Sequence, residues 1–135
     1  MNQTLVSHVP PSSTRRILVV EDEGNQAFIL RSVLRKLPSC EVTTAASGEQ
    51  ALRLFEQQPF DLLVTDLRMP GMDGISLAQA IRSAYPKTAI ILITAFGNEQ
   101  VRQAAERLSV AFVLDKPVET SQVRTAALDA LNMPR

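Results

Sequence analysis

Short apolar runs alternate along this chain with longer stretches whose apolar residues recur every three or four positions. Ile17-Leu18-Val19-Val20 is wholly apolar and β-rich, which suits a strand covered on both faces. It runs into Glu21-Asp22-Glu23. After Gly24 the spacing changes, and Leu30, Val33, Leu34 and Leu37 form one helical stripe that Pro38 stops. Val42 to Ala46 is a second, less apolar strand. Ser47-Gly48-Glu49-Gln50 resembles a capping box before a helix whose face carries Ala51, Leu54 and Phe55, broken by Pro59. Leu62 to Val64 predicts a third strand ending at Asp66. Gly74 then opens a helix with Leu77, Ala78 and Ile81 inward, closed by Tyr85-Pro86. Ala89 to Ile93 is the most apolar strand and ends in Thr94-Ala95. Asn98 can cap a helix with Val101, Ala104, Ala105 and Leu108 inward. Ala111 to Leu114 is the fifth strand, ending in Asp115-Lys116-Pro117, and a helix over about 120–131 closes the chain.

Five apolar strands alternating with five amphipathic helices predict βαβ units: an α/β fold with a five-stranded parallel sheet, right-handed crossovers and helices on both faces. At 135 residues the chain is long enough for one domain with a real core. Residues 1–15 show no sustained period, and Pro10-Pro11 with its Ser/Thr neighbours reads as a flexible arm. The domain is expected over 16–132, with 133–135 as a tail. One helix follows Pro117, so no DNA-binding or catalytic output domain is expected within these residues.

Fourteen basic residues balance fourteen acidic ones, so no global field draws in nucleic acid or an anionic membrane. Nothing approaches a membrane span, and the N-terminus carries no secretory signal, so a cytoplasmic protein is expected. Cys40 is the sole cysteine, which excludes an internal disulfide or a cysteine metal cluster and reads as an inert thiol. His8, the sole histidine, lies in the arm, so histidine-based catalysis is not expected.

The chemistry gathers at the strand ends. Parallel strands present their C-terminal ends along one edge, where Glu21, Asp22, Asp66, Thr94 and Lys116 can converge. Pro70-Gly71 and Asp73-Gly74 turn the chain sharply after Asp66. Three packed carboxylates repel one another unless a cation compensates, and a hard divalent ion with oxygen ligands, Mg²⁺, suits them. A lysine adds a second positive charge, and the ensemble then attracts a phosphoryl group. Phosphoryl transfer needs mainly positioning and charge neutralisation, and a carboxylate can be the covalent acceptor. An aspartyl phosphate is the chemistry implied.

Over about 16–131 the sequence resembles the receiver domains of two-component response regulators, such as the chemotaxis regulators. The matching pieces are Ile17-Leu18-Val19-Val20-Glu21-Asp22-Glu23, Asp66-Leu67-Arg68-Met69-Pro70-Gly71-Met72-Asp73-Gly74, Thr94-Ala95 and Asp115-Lys116-Pro117. The resemblance implies a flavodoxin-like (βα)5 fold with strand order 2-1-3-4-5. It also implies that Asp66 accepts a phosphoryl group from a sensor histidine kinase or phosphotransfer protein. Asp22 would bind Mg²⁺ directly, Glu21 would hold a metal-bound water, and the Arg68 carbonyl would be a further ligand. Lys116 would pair with the phosphoryl oxygens, its bond to Pro117 would be cis, and Thr94 would swing towards the phosphoryl group. The family's habit adds a dimer or partner surface on the last two helices and fifth strand, facing an unknown downstream target.

Two departures matter. Receivers usually carry Phe or Tyr three residues before the lysine, where this chain has Val113 with Phe112 beside it. Either the switch lacks an aromatic reporter, or the register slips and Phe112 takes the part. Glu21 stands where many members have Asp, a longer arm in the same role. Arg68 and Phe96, two residues after Asp66 and Thr94, are placed for Phe96 to shield the acyl phosphate from water and Arg68 to add charge. Other classes fit less well. A haloacid-dehalogenase-type phosphatase needs an acid where Arg68 stands, and a flavodoxin-like cofactor binder needs a Ser/Thr/Gly-rich loop where Glu21-Asp22-Glu23 stands. A degenerate receiver serving only as an interaction module remains the alternative.

Overall fold

The computed structural model describes residues 14–134. Strands and helices alternate strictly: β1 (Arg15–Val20), α1 (Gly24–Leu34), β2 (Cys40–Ala45), α2 (Gly48–Gln57), β3 (Leu62–Asp66), α3 (Gly74–Ala84), β4 (Ala89–Thr94), α4 (Glu99–Arg107), β5 (Phe112–Asp115) and α5 (Thr120–Ala130). The five strands form one parallel sheet in the order β2-β1-β3-β4-β5, the 2-1-3-4-5 order that the resemblance implies.

Alternation along each strand splits the core into two layers. Leu18, Val20, Leu63, Ile90 and Leu92 face Phe55 of α2, Leu77 and Ile81 of α3, and Ala105 of α4. Ile17, Val19, Leu62, Val64, Ile91 and Ile93 face Leu34 of α1 and Val123, Ala127 and Leu128 of α5. The central strands are buried on both faces, which is why they read as unbroken apolar runs. Each fully buried Leu, Ile or Phe contributes roughly 1.5–3 kcal/mol, and this layered burial holds the strand ends in place.

Local signals set the element ends with small shifts. Ser47 Oγ accepts from Gln50 N at 3.1 Å, and Asn98 Oδ1 accepts from Val101 N at 2.9 Å. The box at α2 is offset, because Gln50 Oε1 accepts from Ala46 N rather than from Ser47. Arg15 belongs to β1, where its amide donates to Ser39 O at 2.8 Å; residues 1–13 of the expected arm, with His8, lie outside the described residues. α1 stops at Leu34, yet Leu37 stays buried because the chain turns back over the layer. At the other end Met133 packs against the α1–α5 layer, its amide donating to Leu128 O at 2.8 Å.

One long-range staple has no apolar counterpart. Arg82 on α3 donates to Leu108 O at 2.8 Å, Pro86 O at 2.7 Å, Thr88 O at 2.8 Å and Ser109 O at 3.3 Å. It ties the C-terminal end of α4 to α3. No helix among the described residues is long and apolar enough to cross a membrane.

Candidate functional site

The C-terminal edge of the sheet collects the residues singled out from the sequence. Glu21 and Asp22 follow β1, Asp66 ends β3, Thr94 ends β4 and Lys116 follows β5. Main-chain bonds carry the ladder one step beyond the strands and fix these positions. Glu21 N donates to Ala45 O at 3.0 Å, Leu67 N to Ile93 O at 2.9 Å, and Lys116 N to Thr94 O at 2.8 Å. The Lys116–Pro117 peptide bond is cis.

Side chains then converge. Lys116 Nζ lies 3.1 Å from Asp66 Oδ1 and 3.9 Å from Glu21 Oε1. One carboxylate oxygen from each of Glu21, Asp22 and Asp66 falls within 4.8 Å of the others. Glu21 and Asp66 are buried, whereas Asp22 is exposed. Burial chiefly pushes the Glu21 carboxyl above its ordinary value; the Glu23 amide opposes this, Asp66 adds to it, Lys116 opposes it and Asp22 adds to it. That amide donates to Glu21 Oε2 at 3.1 Å.

Three carboxylates facing one ammonium leave negative charge that a divalent cation would balance. All the side-chain donors are hard oxygens, two are held by the sheet, and the third opens to water. That donor set fits Mg²⁺, which keeps several waters and takes one or two protein carboxylates.

The loop after Asp66 is shaped by a close approach that the Asp73-Gly74 pair only hinted at. A Cβ on Gly74 would collide with the Asp66 carbonyl and lie 2.9 Å from Leu67 Cα. Gly74 N instead donates to Leu67 O at 2.8 Å, and Asp73 caps α3 through Ser76 N at 2.8 Å. Thr65, not singled out from the sequence, is fully buried and donates from Oγ1 to Asp66 O at 2.9 Å.

Thr94 is buried and its Oγ1 accepts from Phe96 N at 2.9 Å. Phe96 itself is 58% exposed, and the Arg68 guanidinium carbon lies 4.6 Å from its ring centroid. A cation–π contact at an exposed site contributes about 0.5–1 kcal/mol. It bridges the loop after β3 to the loop after β4 at the C-terminal edge of the sheet.

The register does not slip at β5. Val113 pairs with Leu92 and packs in the α2–α4 layer, on the face that Thr94 shares. Phe112 pairs with Ile91 and packs in the opposite layer, so it cannot stand in beside Thr94. Cys40 starts β2, at the opposite end of the sheet from the site, and burial pushes its thiol up.

Comparison with known proteins places this geometry. Residues 17–128 match the family model described as the response regulator receiver domain. A Rhizobium etli protein named "Probable chemotaxis protein CheY" is 34% identical over 118 residues, covering 86% of this chain and 91% of that protein. The response regulator protein PilR of Pseudomonas aeruginosa is 30% identical, but the match spans 90% of this chain and 27% of PilR. Among solved structures, a receiver domain protein from Clostridium thermocellum is 28% identical with a TM-score of 0.79, covering 87% of this chain and 94% of that one. A receiver domain protein from Methanospirillum hungatei superposes with a TM-score of 0.83 at 22% identity over 89% and 95% of the two chains, a likeness of fold.

Proposed function

The chain belongs to the receiver-domain family of two-component response regulators, and on that premise we propose that it is a phosphorylation-dependent switch with Asp66 as the phosphoacceptor. Receiver domains are signalling switches rather than turnover enzymes, they bind Mg²⁺ at an acidic pocket, and they work between histidine kinases and downstream effectors. The observation that carries the reading is the Lys116 ammonium at 3.1 Å from the buried Asp66 carboxylate, inside a three-carboxylate cluster.

Asp66 Oδ attacks phosphorus of a phosphohistidine on a sensor kinase or phosphotransfer protein. The new P–O bond forms as the P–N bond breaks, and the imidazole leaves with the electron pair and takes up a proton. Lys116 is placed to follow the charge onto the phosphoryl oxygens, with no long side-chain rearrangement needed. Glu21, Asp22, Asp66 and the Arg68 carbonyl are the groups that would hold Mg²⁺, which when bound neutralises phosphoryl oxygen charge. Thr94 then turns its O–H to a phosphoryl oxygen, and this is the event that signals occupancy. Water later attacks phosphorus, inorganic phosphate leaves and the Asp66 carboxylate returns. The changed surface is offered to a downstream protein, with the fifth strand and last two helices as the partner or dimer face, in the cytoplasm.

Intact mass after incubation with a small acyl phosphate and Mg²⁺ tests this. One phosphoryl adduct is expected on the wild type, dependent on metal and lost in Asp66→Asn. No adduct on the wild type overturns the reading and favours an interaction module that is not phosphorylated.

A further inference from the structure

The departure at Val113 leaves this switch without a ring in β5 that shares the Thr94 face. A ring does stand next to Thr94, but it comes from the loop after β4. Phe96 is tied to the Thr94 side chain by its own amide, which donates to Oγ1 at 2.9 Å. It is one of three large apolar side chains left exposed among the described residues, with Phe28 and Ile29. Burial does not explain its position; the Thr94 bond and the Arg68 guanidinium do.

A threonine hydroxyl has one O–H to donate and two lone pairs to accept with. Thr94 can therefore donate to a phosphoryl oxygen while still accepting from Phe96 N. Any turn of Oγ1 towards Asp66 is transmitted to the Phe96 main chain at one hydrogen bond's length. The loop has little to resist it, because Ala95, Phe96, Gly97 and Asn98 are all exposed. At its far end α4 is held by the Arg82 fork on Leu108 and Ser109, so displacement is confined to the end nearest the site.

The geometry points to Phe96 as the aromatic reporter of Asp66 phosphorylation in this chain, carried by its amide bond to Thr94 and drawn across the mouth of the site out of its resting stack on Arg68. This rests on the proposed phosphorylation of Asp66 and adds a positioning residue to it. The ring moves as part of a loop that borders α4, whereas a strand aromatic would move within the sheet edge.

The five phenylalanines, Phe28, Phe55, Phe60, Phe96 and Phe112, make the test direct. The whole chain is labelled with 4-fluorophenylalanine, each fluorine resonance is assigned by single Phe→Leu substitution, and spectra are recorded with Mg²⁺ before and after acetyl phosphate. Intact mass on the same samples reports the adduct. The Phe96 resonance is expected to shift by more than its linewidth on adduct formation, while Phe112 stays. Thr94→Ser, which keeps the hydroxyl, should retain the Phe96 shift. Thr94→Val, compared at the same adduct level by intact mass after longer incubation, should lose most of that shift. An adduct with an unmoved Phe96, a moving Phe112, or an undiminished Phe96 shift in Thr94→Val would each overturn the inference and leave the phosphorylation of Asp66 intact. No adduct on the wild type would overturn both.

Discussion

The Lys116 ammonium sits 3.1 Å from Asp66 Oδ1 but 3.9 Å from Glu21 Oε1, so the lysine sides with the proposed phosphoacceptor. Removing it leaves two buried carboxylates without their cation. Lys116→Ala should slow phosphorylation of Asp66 by about 10²-fold, the usual loss on deleting one preorganised charge donor. Mg²⁺ should bind the variant at least as tightly, because the cluster becomes more negative. A time course by intact mass and a calorimetric Mg²⁺ titration separate the two effects; unchanged phosphorylation would remove Lys116 from the mechanism.

Glu21 gives the pH dependence. Its carboxyl is raised, mainly by burial, so the folded state holds that proton more tightly than the unfolded chain does. The stability this supplies is complete below the unfolded carboxyl value and is lost as pH rises through the folded one. Glu21→Gln should therefore be the more stable protein at neutral pH in a chelator, by about 1 kcal/mol or roughly 3 °C. Its advantage should vanish towards pH 4. Saturating Mg²⁺ should reverse the order, because ligand that binds only the folded wild type adds stability by mass action. Thermal melts across pH, with and without Mg²⁺, check both signs.

Gly74 and Gly24 make a matched pair. A Cβ at Gly74 meets the Asp66 carbonyl and Leu67, whereas one at Gly24 meets nothing within 4 Å. Gly74→Ala should cost about 2 kcal/mol or more, since backbone on both sides has to give way. Gly24→Ala, in the first turn of α1, should be neutral or gain up to about 1 kcal/mol. Denaturant melts of the two variants decide it; equal stabilities would mean that the loop after Asp66 is looser than its packing indicates.

Much of the site was legible because each member ends a strand or follows one directly. A buried parallel strand announces itself as an unbroken apolar run, and the polar residue that follows it must lie on the shared edge. Asp66, Thr94 and Lys116 came out of that logic, and the strand order came with the family resemblance. What stayed hidden pairs a side chain with main chain. Arg82 reaches carbonyls 26 and 27 residues on, and carbonyls carry no residue-type signal. The Phe96–Thr94 bond is hidden for the same reason, because the donor is an amide that every residue but proline has. The offset of the capping box to Ala46 and the turn that rescues Leu37 lie within the one- or two-residue blur of helix ends.

Arg82 therefore carries its own prediction. Its fork satisfies four carbonyls at the α3–α4 junction, and Leu108 and Ser109 lie at and just beyond the end of α4. Arg82→Ala should cost about 2–3 kcal/mol, in line with hydrogen bonds to a charged group. Lysine should recover little of it, because an ammonium cannot span the same fork. Hydrogen exchange should rise first at Leu108, Ser109 and Val110; protection unchanged there would show that packing alone holds the end of α4.

Phe96 bears on lifetime as well as on signalling. An acyl phosphate on Asp66 is lost when water reaches phosphorus, and Asp66 is buried at the base of the two loops that carry Arg68 and Phe96. Drawn inward with Thr94, the ring would cover that approach with apolar surface, and the guanidinium would add positive charge beside the phosphoryl oxygens. Phe96→Ala should then release inorganic phosphate several-fold faster from the isolated phosphorylated protein. Phe96→Leu, which keeps apolar bulk, should fall between the two. Phosphorylation by acetyl phosphate should change far less, because its driving contacts are Lys116 and the metal-binding carboxylates. If phosphate release from Phe96→Ala matched the wild type, the ring would be a reporter that does no shielding, and the lifetime would rest on the charge arrangement around Asp66 alone.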